Sequence, residues 1–198
     1  MTTWIVLRAA GIGAYLALFL SVAWGLLATT SLVTRRVSKP AATVFHASAG
    51  TAGLALLGLH MALLLVDRFE PFHVLDLLVP WRSAFRPTAI AVGIVSMYAI
   101  VAIVVTSRLR QRIGTSWWRR THLAAVPAFT LALLHGVLAG TDTGRPWMFW
   151  LYAVTGLLVV FLVLVRGLTV GFRPPRPAPP PTRATSEPER TREPVSAA

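Results

Sequence analysis

The stretch AATVFHASAGTAGLALLGLHMALLLV, residues 41–66, decides how the rest of the chain is read. Its 26 residues carry no Asp, Glu, Lys or Arg. As a helix it would run about 39 Å, enough to cross a hydrocarbon core of roughly 30 Å. Two histidines, His46 and His60, sit inside it. An ionisable side chain at membrane depth is costly and points to a function with a partner to be found.

Outward from this stretch, four more apolar segments emerge, at about Ala9 to Leu32, Thr88 to Val105, Trp118 to Gly140, and Trp147 to Val165. Each is close to spanning length. The whole chain has 55% hydrophobic and 13% charged residues, about half the charged share of an ordinary soluble domain. The fold class expected is therefore an all-α integral membrane protein, a bundle of five transmembrane helices over residues 1–171. The first segment follows Arg8 but is too long for a secretory h-region and leads into Arg35, Arg36 and Lys39, so it reads as a retained helix. From Phe172 the sequence turns to Pro, Arg, Thr, Ser and Glu. Such a composition cannot bury enough apolar area to repay ordering, and 172–198 reads as a disordered tail.

Several chemistries lack their ligand. With no cysteine, disulfides, thiolate zinc, cysteine-held iron–sulfur clusters and covalent c-type haem are excluded. The net charge of +12 does not make a nucleic-acid surface, because the basic residues flank hydrophobic spans. They set orientation instead. Arg35, Arg36 and Lys39 follow the first span, and Arg108, Arg110, Arg112, Arg119 and Arg120 follow the third, with no acid in either loop. By the positive-inside rule these loops are cytoplasmic, which puts the N-terminus outside, the tail inside, and the protein in the plasma membrane. Trp4, Trp117, Trp118, Trp147 and Trp150 stand at span ends, where indole rings anchor at the headgroups. Gly11-Ile-Gly13 is no dinucleotide fingerprint, since Leu16 occupies the third glycine's place inside a span.

Four of the five histidines fall in spans. His46 and His60 are 14 residues apart on the second, His122 and His135 13 apart on the fourth. The rises are about 21 and 20 Å. The two helices run in the same direction, so His46 should share the inner depth with His122 and His60 the outer depth with His135. A haem iron has four porphyrin nitrogens and needs two axial ligands, for which neutral imidazole serves well. Two depth-matched pairs supply axial ligands for two haems. On a regular helix 14 residues return to within about 40° of the same face, whereas 13 leave the second ring about 140° away. Pro127, between His122 and His135, frees the carbonyl of Leu123 and predicts a kink there. Ala47, Ser48, Gly50, Ala52 and Gly53 offer small surfaces for a macrocycle or for a neighbouring helix. Arg35, Arg36, Arg119 and Arg120 are candidate propionate partners at the inner site, Arg82 and Arg86 at the outer. His73, in an outer loop, reads as solvated or loop-packed.

Two histidine pairs spaced 14 and 13 on alternate helices, with Trp118-Arg119-Arg120-Thr121-His122 opening the second, resemble the ferric reductase-like transmembrane domain. That superfamily includes ferric reductases, NADPH oxidases and the membrane haem subunit of the bacterial periplasmic methionine sulfoxide reductase system. The resemblance covers about Ala9 to Leu168. It implies transmembrane electron transfer through two haem b groups, the inner on His46 and His122 and the outer on His60 and His135. Thr121 departs from the leucine often found there. A flavin and nicotinamide domain, carried by the oxidases, does not fit in the tail. The resemblance thus implies a separate flavoprotein or quinol as donor and an outer acceptor such as ferric iron, oxygen or a partner reductase, with FMN as a further candidate cofactor. Two rival readings use the same histidines, as a proton relay in a transporter or channel, and as interhelical glue in a non-catalytic scaffold subunit.

Overall fold

The computed structural model describes residues 2–28, 37–68 and 70–171, all of them in helices or connections. The elements are α1 (Thr2–Leu27), α2 (Lys39–Val66), α3 (Val74–Leu78), α4 (Pro87–Arg108), α5 (Arg110–Ile113), α6 (Thr115–His122), α7 (Ala125–Ala139) and α8 (Pro146–Gly171). Five spans are long and apolar enough to cross a bilayer: α1, α2, α4, the α6–α7 pair and α8. The protein is a multi-pass helical membrane protein. The tail expected over 172–198 lies outside the described residues, as do Arg35 and Arg36.

The first span begins earlier than the expected Ala9, at Thr2. Its early start takes Arg8 into the helix, where an ion pair with Asp142 accommodates the charge. Elsewhere local chemistry marks the ends as expected. Ser38 caps α2, its hydroxyl accepting the Ala41 N–H at 3.4 Å. Pro87 opens α4, where a missing N–H costs nothing.

In the fourth span the ladder breaks at Leu123 and Ala124, because Pro127 offers no N–H to the Leu123 carbonyl. The Ala124 N–H turns back to the Thr121 carbonyl at 3.1 Å, a three-residue step, before Ala128 resumes the α pattern on Ala124 at 2.9 Å. The end of α7 is closed with unusual care. The Thr143 hydroxyl lies 3.3, 3.1 and 3.0 Å from the carbonyls of Gly136, Val137 and Gly140, and Arg86 Nη1 donates to that of Leu138 at 2.6 Å. Apart from that of Gly136, which also accepts the Gly140 N–H at 2.9 Å, these are carbonyls at a helix end that must find donors away from water.

Helix α1 packs along α2 and also meets α7 and α8, while α4 packs along α7. The α1–α2 seam is made by small residues that let backbones approach. A Cβ on Gly53 would stand 3.1 Å from Leu18, one on Gly50 3.2 Å from the Ser21 hydroxyl, and one on Gly13 3.2 Å from Leu56. Gly50 and Gly53 are therefore helix-packing residues. Between the spans, Tyr15, Phe129 and Val159 form one buried cluster, and the Ser96 hydroxyl ties α4 to α7 by donating to the Ala128 carbonyl at 2.9 Å. Large apolar side chains on α8, among them Leu157, Phe161 and Leu164, face outward, as a lipid-facing surface requires.

Every acid among the described residues, Asp67, Glu70, Asp76 and Asp142, lies at the end holding the α2 C-terminus and the α8 N-terminus. The opposite end carries Lys39, Arg108, Arg110, Arg112, Arg119 and Arg120. The bundle thus has an acid-bearing end and a basic end.

Candidate functional site

The antiparallel course of α1 against α2 brings the carbonyls of α1 beside the α2 histidines at two depths. At the acid-bearing end, His60 Nδ1–H donates to the Leu7 carbonyl at 3.2 Å. At the basic end, His46 Nδ1–H donates to the Ser21 carbonyl at 2.8 Å. Four residues after each acceptor stands a glycine, Gly11 and Gly25. A Cβ would lie 3.1 Å from His60 Nδ1 in the first case and 3.2 Å from His46 Nδ1 in the second. The third case is on α4. His135 Nδ1–H donates to the Ala89 carbonyl at 2.8 Å, and a Cβ on Gly93, again four residues on, would stand 2.5 Å from that nitrogen.

One seat is thus built three times. Within a helix the N–H of residue i+4 already bonds the carbonyl of residue i, and that oxygen keeps a second lone pair. Leaving out the side chain at i+4 opens a path for an imidazole to reach it. The bond fixes the tautomer, since a carbonyl can only accept, so the proton is on Nδ1 and the lone pair on Nε2. Each such bond contributes about 0.5–1.5 kcal/mol and sets the ring's orientation, as carbonyl partners do for metal-bound histidine.

His122 differs. It closes α6 and stacks on Trp118, ring centroids 5.2 Å apart at 29°, and its buried Nδ1 has no hydrogen-bond partner. Its ring lies 5.7 Å from that of His46, at 74°. His60 and His135 line one cavity of about 230 Å³ at the acid-bearing end, with Gly11, Gly93, Tyr15 and Met97 among its other walls. Of the two pairs expected from depth, His46 and His122 are thus in ring contact and His60 and His135 share the wall of one cavity. His73 is exposed ahead of α3, its backbone N–H donating to Asp76 at 3.0 Å, and does not line that cavity.

The cations are placed less as expected. Arg82 reaches Asp76 at 3.4 Å, and Arg86 is committed to Leu138; neither lines the cavity. Arg8, which sequence reasoning passed over, does, together with its partner Asp142. At the basic end Arg119 is exposed, and the Arg120 guanidinium sits 5.5 Å from the Trp117 ring.

The donor chemistry suits a ring-held metal. Three of the four rings have Nδ1 protonated and Nε2 free, the form in which imidazole ligates. Among the described residues no three of His, Cys, Asp and Glu come together as a ligand set. Each histidine pair can fill two axial positions but cannot complete a coordination shell alone. The residues fit haem in this respect.

The chain matches the family model described as ferric reductase like transmembrane component over residues 10–133. It belongs to this family. The match takes in α1, α2, α4 and the first part of the fourth span, with His46, His60 and His122, and stops two residues before His135. Comparisons with curated proteins and with solved structures found no match. The ferric reductase-like domain is, in general terms, a device for moving electrons across a membrane, and the glycine seats lie within the matched stretch at Gly11, Gly25 and Gly93.

The three seats were not anticipated from the sequence, although a signal was present. Gly11 and Gly25 are 14 residues apart, the same interval as His46 and His60. Equal intervals on antiparallel neighbours place the glycines at the histidines' depths.

Proposed function

We propose that the protein carries electrons across the membrane through two bis-histidine haem b groups, one held by His46 and His122, the other by His60 and His135. The reading is carried by the three seats, in which Nδ1–H is tied to a carbonyl and Nε2 is left as the free ligand atom. Bound there, a haem would be held by His46 and His122 or by His60 and His135 and would supply one-electron chemistry. The chain's own work is positional. The Leu7, Ser21 and Ala89 carbonyls orient the rings and raise their basicity, which favours the oxidised state of a bound metal. The apolar lining of the cavity keeps water from the His60–His135 position, and the Arg8–Asp142 ion pair stands at its edge.

The basic end faces the cytoplasm under this proposal, because its loops hold arginine without acids. Electrons enter there from a separate flavoprotein or from quinol and leave at the acid-bearing end to an outer acceptor. A proton relay through the same rings is disfavoured by the seats, since each transfer through His46, His60 or His135 would have to break the Nδ1–carbonyl bond. The test is the reduced-minus-oxidised spectrum of purified protein. A b-type α-band with low-spin, bis-histidine character is expected; a colourless protein with pH-dependent ion flux would overturn the proposal in favour of transport.

A further inference from the structure

The connection from α2 to α4 does not stay above the bundle. Residues 87–107, 21 in all, hold no Asp, Glu, Lys or Arg. As a helix they run about 32 Å, scarcely more than a hydrocarbon core of roughly 30 Å, so α4 begins close to the edge of the hydrocarbon. Helix α3 packs against its first turns. Leu77 is buried in one cluster with Phe72, Ile90 and Ile94, and Met61, Leu64 and Met97 pack against it. On α4 these contacts bracket the His135 seat at Ala89 and Gly93. Deeper still, the Tyr98 hydroxyl donates to the Leu78 carbonyl, the last of α3, at 2.7 Å. Tyr98 stands 11 residues beyond Pro87, about 16 Å along the axis, and its side chain leans back by roughly one turn. The Leu78 carbonyl therefore lies about 10 Å below the start of α4.

The segment is built for such a place. Phe72 and Phe85, one on each limb, meet edge to face at 6.2 Å and, with Leu77, line the cavity, a setting in which non-helical backbone is tolerated at membrane depth. Backbone groups are paired within the segment. The Val79 N–H donates to the Leu75 carbonyl at 2.9 Å, the Arg82 N–H to that of Val79 at 3.3 Å, and the Phe85 N–H to the Ser83 hydroxyl at 3.2 Å. Asp76 and Arg82, 3.4 Å apart, neutralise one another. Val74, Leu75, Leu78, Val79 and Trp81 are all exposed, five large apolar side chains within eight residues. Trp81 is 67% exposed and holds φ at 62°, a backbone that a bulky residue keeps only where its surroundings fix it. Through Tyr98 this surface continues onto α4, where Val95 and Val101 are exposed at helical spacing on the same side. Water disfavours such a surface, and acyl chains do not.

We propose that residues 72–85 form a re-entrant segment immersed in the leaflet at the acid-bearing end and held at depth by Tyr98. Its exposed apolar side is an interface with lipid acyl chains, and Phe72, Leu77 and Phe85 stand between those chains and the cavity. The partner is lipid rather than a second protein, because the level at which Tyr98 holds the Leu78 carbonyl lies below the headgroups. The segment takes this position with or without haem.

The chain has no cysteine, so Leu75→Cys and Val79→Cys each give a single site for a nitroxide label in the full chain, reconstituted in phosphatidylcholine vesicles. EPR power saturation then reads collisions with oxygen, which concentrates in hydrocarbon, and with a water-soluble nickel chelate. Leu157→Cys, on the outward side of α8, is the lipid reference. Gly144→Cys, in the α7–α8 connection where a Cβ meets nothing within 4 Å, is the water reference. The labels at 75 and 79 should match that at 157, with an oxygen-to-chelate ratio several-fold above that at 144. Tyr98→Phe leaves the Leu78 carbonyl without its donor and should bring the ratio at 79 down toward the water reference. Ratios at 75 and 79 equal to that at 144 would overturn the proposal in favour of a water-exposed loop. Labels that collide with neither reagent would overturn it in favour of a site covered by protein. A ratio at 79 that is the same in Tyr98→Phe would overturn the part assigned to Tyr98. If either labelled variant fails to fold, Val74→Cys, in the same exposed stretch, gives the reading.

Discussion

A methyl group on Gly93 would stand 2.5 Å from His135 Nδ1, closer than a side chain carbon tolerates. Gly93→Ala should therefore push His135 off the Ala89 carbonyl and cost about 1–3 kcal/mol, the usual range for an overpacked core. About half of the haem should be lost by haemochrome count. Gly58→Ala is the control, because nothing lies within 4 Å of a Cβ there, and it should leave haem content and thermal unfolding unchanged. The histidines themselves were legible, since each is a titratable group in an apolar run and stands out at a single position. Their glycine seats were not, because glycine in membrane helices also serves close packing, as Gly50 and Gly53 do. Only the neighbour across the seam tells the two uses apart. Arg8 was passed over for a similar reason, as its value depends on Asp142, which lies in a loop 134 residues away.

At the scale of the element, Pro127 governs the fourth span. A break after His122 was predicted from the missing N–H and is found at Leu123 and Ala124. Each residue in a three-per-turn step adds about 20° over the α-helix, so two of them reduce the expected 140° between His122 and His135 to roughly 100°. The rings still leave different faces. Each meets its partner because His135 leans against Gly93 on α4 while His122 turns to His46 on α2. That division was not legible, because the angular argument treats one helix alone and the partners stand on different sides of it. Pro127→Ala should restore the Leu123 carbonyl's bond, straighten the span and carry His122 away from His46. The expected result is a change in the optical and EPR signals of one haem only, with the His60–His135 signals retained.

For the molecule as a whole, five spans, their order and their division into a basic and an acid-bearing end were legible, because length, hydropathy and charge placement act without tertiary detail. What links the ends of the bundle was not. Arg8 on α1 and Asp142 in the α7–α8 connection form an ion pair with side chains 35% and 15% exposed, so it is only partly screened. Asp142→Asn should lower stability by about 1 kcal/mol, and the loss should shrink as salt rises, read by thermal unfolding in detergent. Arg8→Ala in addition should cost little more, since the pair is already broken. The two-haem proposal makes a whole-molecule prediction that does not depend on donor or acceptor, namely a fixed haem stoichiometry. Haem quantitation on the purified chain should give two haem b per chain, falling to one in His60→Ala and in His135→Ala. A haem-free chain, or full retention of both haems in either variant, would contradict it.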